Sequence, residues 1–166
     1  MINKRIEDEW SGMDFSPLLD CSRTFDIEKS NFRVKTCGNP RTVEFVKLLD
    51  SGVLLLIEAK KTIARRDEEK SNLILRLKAN ETIAMLVSKS QGVVADNDEE
   101  FPSCMNRHIF CGEKTVFLLV IKGIPLEECA LAKEALNRML KPLIKIWGIK
   151  VDVWNEEKAK EKGFVA

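Results

Sequence analysis

Residues 43–61 read VEFVKLLDSGVLLLIEAKK, two apolar segments separated only by Asp50-Ser51-Gly52. Segments this short and this close, with a turn tripeptide between them, predict a β-hairpin over residues 42–49 and 53–61. Successive side chains of a strand point to opposite faces, and in both predicted strands each face is largely apolar. Such a hairpin lies inside a sheet and demands cover on both sides.

The same hairpin carries charge at one edge. Glu44 and Glu58 stand at the outer ends of the two strands, and Lys60 follows two residues after Glu58. If residues 50–52 form a three-residue loop, a type I turn closed by a left-handed glycine, then Leu49 faces Val53 and Glu44 lies opposite Glu58. Cross-strand Cβ atoms are about 4.5–5.5 Å apart, so the two carboxylates repel unless something neutralises them. A divalent cation does so, and hard oxygen ligands suit magnesium or manganese. Lys60, on the face of Glu58, is placed to polarise a metal-bound water or to neutralise charge on a phosphorane. A loop one residue shorter or longer puts the two glutamates on opposite faces, so this expectation depends on register.

Around the hairpin the pattern alternates between strand and helix. FRVKTC, residues 32–37, alternates apolar and basic residues and predicts a strand, followed by a break at Gly38-Asn39-Pro40. Residues 67–90 predict a helix with Leu73, Leu77, Ala84 and Val87 on one stripe, acids in its first turn and Gly92 at its end. Residues 93–115 read as a long loop, 116–122 as a strand buried on both faces, and 126–147 as a helix interrupted at Pro142. A last strand over 149–154 and a short helix capped by Asn155 complete the chain. The order predicts an α/β fold, a mixed sheet with an antiparallel meander and helices on both faces, in one domain over residues 1–166.

These features together resemble the PD-(D/E)XK nuclease superfamily, of restriction-endonuclease and Holliday-junction-resolvase type: an acid at the start of one hairpin strand, E-x-K at the end of the next. In that family a helix, a three-strand meander, a further helix and a parallel strand form the core, and here the resemblance runs from Phe32 to Trp154. It implies metal-ligand and catalytic roles for Glu44 and Glu58, a catalytic role for Lys60, bound Mg2+ or Mn2+, and hydrolysis of phosphodiesters in DNA rather than RNA. Many members add an acid from the first helix, for which Glu7, Asp20 and Glu28 are candidates. Many also act as dimers, so a homodimer is compatible with the resemblance.

Composition places limits on other readings. Twenty-seven basic and 26 acidic residues leave a net charge of +1, so any nucleic acid is held by a local patch. The densest basic run, Lys60, Lys61, Arg65, Arg66 and Lys70, can receive a phosphate backbone, although interleaved acids make a solvated helix start the plainer reading. No apolar run approaches the roughly 20 residues of a membrane span. MINKRIEDEW lacks the apolar stretch of a secretory signal, and five cysteines without framework spacing suit reduced thiols; a cytoplasmic protein is expected. Cys104, His108 and Cys111 offer three zinc donors where a structural site takes four, and free thiols are the plainer account. Trp147 and Trp154 are expected in the core. The alternative to a nuclease is a non-catalytic member of the same fold, a nucleic-acid-binding or protein-interaction module; a third reading is another enzyme with residues 93–115 as its lid.

Overall fold

The computed structural model describes residues 11–19, 22–62, 68–95, 100–106, 108 and 110–166. A short helix α1 (Ser16–Leu19) leads into three strands, β1 (Thr24–Asp26), β2 (Phe45–Leu48) and β3 (Leu54–Lys60). A long helix α2 (Glu68–Ser90) carries the chain to β4 (Thr115–Ile121). Helices α3 (Cys129–Met139) and α4 (Lys141–Trp147), strand β5 (Lys150–Asn155) and helix α5 (Glu156–Glu161) follow. The strands form a single sheet in the order β1-β2-β3-β4-β5. Its first three strands are an antiparallel meander, and β4 and β5 run parallel to β3. Parallel neighbours need a crossover, which α2 supplies between β3 and β4, and α3 with α4 between β4 and β5.

The turn is the predicted one. Leu48 pairs with Leu54 and Phe45 with Ile57, the amide of Leu49 donates to Val53 O at 2.8 Å, and Gly52 takes φ +79°. Only a residue without Cβ adopts that left-handed conformation cheaply. The hairpin is covered on both faces, as its two apolar faces require. Val46, Leu48, Leu54 and Leu56 join Leu75, Ile83 and Leu86 of α2 and Leu136 of α3 in one core. Phe45, Leu55, Ile57 and Ala59 pack with Phe15, Leu18, Ala159 and Phe164 in the other. Among the described residues no helix is long and apolar enough to cross a membrane.

Two expectations are corrected. Residues 32–37 are not a strand: Phe32–Thr36 is a single π-helical turn, closed by the amide of Cys37 on Phe32 O at 3.1 Å. Phe32 is drawn into the core beside Phe101, and its amide donates to Glu100 Oε2 at 2.9 Å; this distant anchor outweighs the alternating pattern. The first strand of the meander is instead Thr24–Asp26. The buried stripe of α2 is also not the expected one. Leu75, Ala79, Thr82, Ile83 and Leu86 face inward, whereas Leu73 and Ala84 are exposed and Leu77 and Val87 only half-buried. Residues 73–75 and 77 are all apolar, so periodicity alone singles out no face there, and the small Ala79 permits close approach to the sheet.

Other local expectations agree with the structure. At the end of α2 the amide of Val93 donates to Ser88 O at 2.9 Å around Gly92 at φ +71°, the hydrogen-bond pattern of a Schellman stop. The helix over 126–147 breaks at Leu140, with Pro142 in the first turn of α4, where a missing amide costs nothing. Asn155 caps α5 by accepting from the Lys158 amide at 2.9 Å.

Candidate acid and lysine site

The site begins with the backbone that leads into β2. The amide of Val43 donates to Thr82 Oγ1 of α2 at 3.0 Å, and the amide of Arg41 to Glu81 Oε2. These bonds fix the entry of the strand against the helix. The amide of Glu44 then donates to Ile57 O at 3.1 Å. Ile57 is already the partner of Phe45, so the regular ladder gives way at Glu44, one residue before its expected place opposite Glu58. Its carboxylate turns back to the sheet, where Oε2 accepts from the Ala59 amide at 3.2 Å. One further bond, from the Glu28 amide to Glu44 O at 3.4 Å, draws the segment after β1 to the same place.

Glu58 lies on the α2 face of β3. Both its oxygens accept from the ammonium of Lys78, at 2.9 and 3.0 Å, and the same ammonium lies 3.6 Å from Glu28 Oε1. Glu44 and Glu58 are 5% and 2% exposed, so these carboxylates cannot rely on water. The consequence for Glu58 is a competition. Burial pushes its pKa up, the charge and hydrogen bonds of Lys78 and the charge of Lys60 pull it down, and the charge of Glu28 adds to the rise; the balance stands at about 7. For Lys78, burial works against the charged form. The charge and hydrogen bond of Glu58, with Glu28 and Glu44 behind them, win and raise its pKa above the ordinary lysine value. Lys78 therefore stays charged throughout the range in which Glu58 titrates.

Lys60 ends the strand. Its carbonyl accepts from the Lys122 amide at 2.9 Å, and the carbonyl of Lys61 from Gly123 N at 3.0 Å. A Cβ on Gly123 would stand 3.1 Å from that Lys61 carbonyl, a tight approach that glycine avoids at the join of β3 and β4. The half-buried side chain of Lys60 lines a cavity of about 730 Å³ between the sheet, α2 and α3, together with Asn72, Arg76, Leu119 and Leu136. Lys60 acts on Glu58 through its charge, whereas Lys78 touches it.

Of the sequence candidates, then, Glu44, Glu58 and Lys60 lie at one edge of the hairpin; Lys78 links Glu58 to Glu28, and Lys60 reaches Glu58 by charge alone. Glu7 and Asp20 lie outside the described residues, as do Arg65 and Arg66 of the basic run. Lys78 was missed. Its signal was present but tied to the wrong stripe: with Leu75, Ala79 and Thr82 facing the sheet, Lys78 sits on the buried side of α2, and a lysine there needs an acid opposite.

The oxygen donors of Glu28, Glu44 and Glu58 are of the kind magnesium and manganese take. Even so, among the described residues no group of three or more His, Cys, Asp or Glu side chains is gathered as a metal site; the ammonium of Lys78 stands among the acids. The same holds for Cys104, His108 and Cys111. His108 packs against the ring of Phe110, and Cys104 and Cys111 are free thiols. The segment 93–115 does not form an open lid in its described part, since Phe101, Met105 and Phe110 are buried in the core. Trp147 and Trp154 are structural, their indole N–H groups donating to Asn80 at 3.0 Å and Asp152 at 2.8 Å.

Compared with known proteins, the chain matches no family model, no curated protein and no solved structure.

Proposed function

We propose that this protein is a divalent-metal-dependent nuclease of the PD-(D/E)XK kind, acting on DNA rather than RNA in the cytoplasm. The observation that carries the reading is the burial of two glutamates, Glu44 and Glu58, at one edge of an otherwise apolar hairpin, with Lys60 beside them. Buried carboxylates cost a fold several kcal/mol unless paired, and an apolar pair of similar size serves a sheet equally well. The meander β1 to β3, the helix α2 and the parallel β4 also follow the order that the resemblance implies.

In this reading Glu58 and Glu44, with Glu28 beside them, would hold Mg2+ or Mn2+, whose chemistry there would be to activate a water and to offset charge on the scissile phosphate. Glu58 must be ionised to do so, and Lys78 and Lys60 favour that form. Glu44 anchors one carboxylate oxygen on the Ala59 amide, and Lys78 of α2 holds both oxygens of Glu58. Lys60, at the strand end, supplies a cation to the attacking water or to the developing phosphorane.

The second reading, a non-catalytic binding module on the same fold, is favoured by one observation: Lys78 already satisfies both oxygens of Glu58. Cleavage assays separate the two. Purified protein with Mn2+ is offered linear, supercoiled, single-stranded and branched DNA. Cleavage that is lost in Lys60→Ala and Glu58→Gln supports the nuclease. Binding of DNA without cleavage of any substrate by the wild type moves the assignment to the binding module.

A further inference from the structure

We propose that the cavity between the sheet, α2 and α3 binds a single-chain amphiphile, an alkyl chain ending in an anionic carboxylate or phosphate. The proposal stands apart from the nuclease reading and needs no metal. The cavity measures about 730 Å³, within the range of sites that enclose small molecules. Its floor is aliphatic: Leu75, Leu119, Ile121 and Leu136 are all buried. Leu73, 54% exposed, stands at its rim, where a bound chain would cover it. No described residue of the lining is aromatic, so a planar ring finds no stacking partner there and an alkyl chain is the better fit.

The head is named by charge. Lys60, Arg76 and Arg138 line the same cavity, against the single acid Glu69. Arg76 and Arg138 are exposed and Lys60 half-buried, which sets the cations on the open side, above the aliphatic floor. Among the described residues none of the three side chains forms an ion pair or donates a hydrogen bond. A guanidinium offers a planar fork that matches carboxylate and phosphate oxygens. An apolar floor under unpaired cations suits a ligand that is apolar along its length and anionic at one end.

The test is calorimetry on the whole chain, without metal or DNA, using decanoate, octanoate, decyl phosphate, decanol and inorganic phosphate. Decanoate or decyl phosphate should bind once per chain, and the tighter of the two identifies the head. Each CH2 should tighten binding about fourfold, so octanoate should bind roughly fifteenfold more weakly than decanoate. Inorganic phosphate alone should not bind measurably. Joint Arg76→Gln and Arg138→Gln replacement should weaken decanoate roughly fivefold and leave decanol unmoved. Ala132→Phe, which fills the cavity from α3, should abolish binding. In the wild type, a decanoate carrying a terminal diazirine should photolabel α2, α3 or β4, as read by mass spectrometry. The proposal is overturned if neither anionic amphiphile binds, if decanol binds as tightly as decanoate in wild type and the arginine variant alike, or if the photolabel falls outside these elements.

Discussion

Replacing Glu58 by Gln should change how the stability of the protein depends on pH. Glu58 has a folded pKa raised to about 7 from 4.5, by burial that Lys78 and Lys60 only partly offset and to which Glu28 adds. The folded state consequently binds more protons than the unfolded state between these values, and stability falls as pH rises through them. Its contribution is fully present below pH 4.5 and lost above about 7. At about 1.4 kcal/mol per tenfold change in proton activity, the passage from 4.5 to about 7 amounts to about 3 kcal/mol. Gln cannot titrate, so the stability difference between wild type and Glu58→Gln should shift by about 3 kcal/mol, against the wild type, from pH 4.5 to pH 8. Urea denaturation with a chelator present, at half-unit pH steps, measures it through the midpoints at constant slope. In Lys78→Met the cation nearest Glu58 is gone, so the same loss should continue to higher pH. A difference between wild type and Glu58→Gln that is flat from pH 4.5 to 8 would refute the reasoning, because Glu58 would then titrate alike folded and unfolded.

Millimolar Mn2+ should raise the melting temperature of wild type by mass action on the folded state and leave that of Glu58→Gln nearly unmoved, as a thermal melt will show. Lys60→Ala should abolish Mn2+-dependent cleavage while DNA binding, measured by filter retention, survives, because backbone contacts are spread over several basic side chains. Gly52→Ala should cost about 1 kcal/mol in urea denaturation, the strain of a left-handed residue with a Cβ, since Gly52 sits at φ +79°. Leu86→Ala should cost about 2–5 kcal/mol because Leu86 is fully buried against the sheet, whereas Leu73→Ala, 54% exposed on the same helix, should cost far less.

The hairpin was legible in the chain because its cause is local: a tripeptide with glycine in third place sets the loop, and the loop sets the pairing from Leu48–Leu54 to Phe45–Ile57. The mixed sheet followed for the same kind of reason, since a short turn makes antiparallel neighbours and a helix between strands makes parallel ones. Two acids and a lysine at one edge came with that register. Where the ladder gives way at Glu44 was not legible, because bonds to Ile57, Ala59 and the Glu28 amide depend on how the segment before β2 is held by α2. Nor was the π-helical turn at 32–36, where FRVKTC has a strand's alternation but Phe32 is captured by Glu100 and Phe101, residues 68 and 69 positions further on. The rotation of α2 was decided in the same way. With apolar residues at 73–75 and 77 all round its first turns, the helix has no preferred face of its own, and the sheet chose the one carrying Leu75, Ala79 and Ile83. That choice brought Lys78 onto Glu58, 20 residues away in the chain. Periodicity reports the backbone conformation that neighbours along the chain favour; which face is buried, and which buried charges meet, depends on contacts that exist only once the helix lies on the sheet.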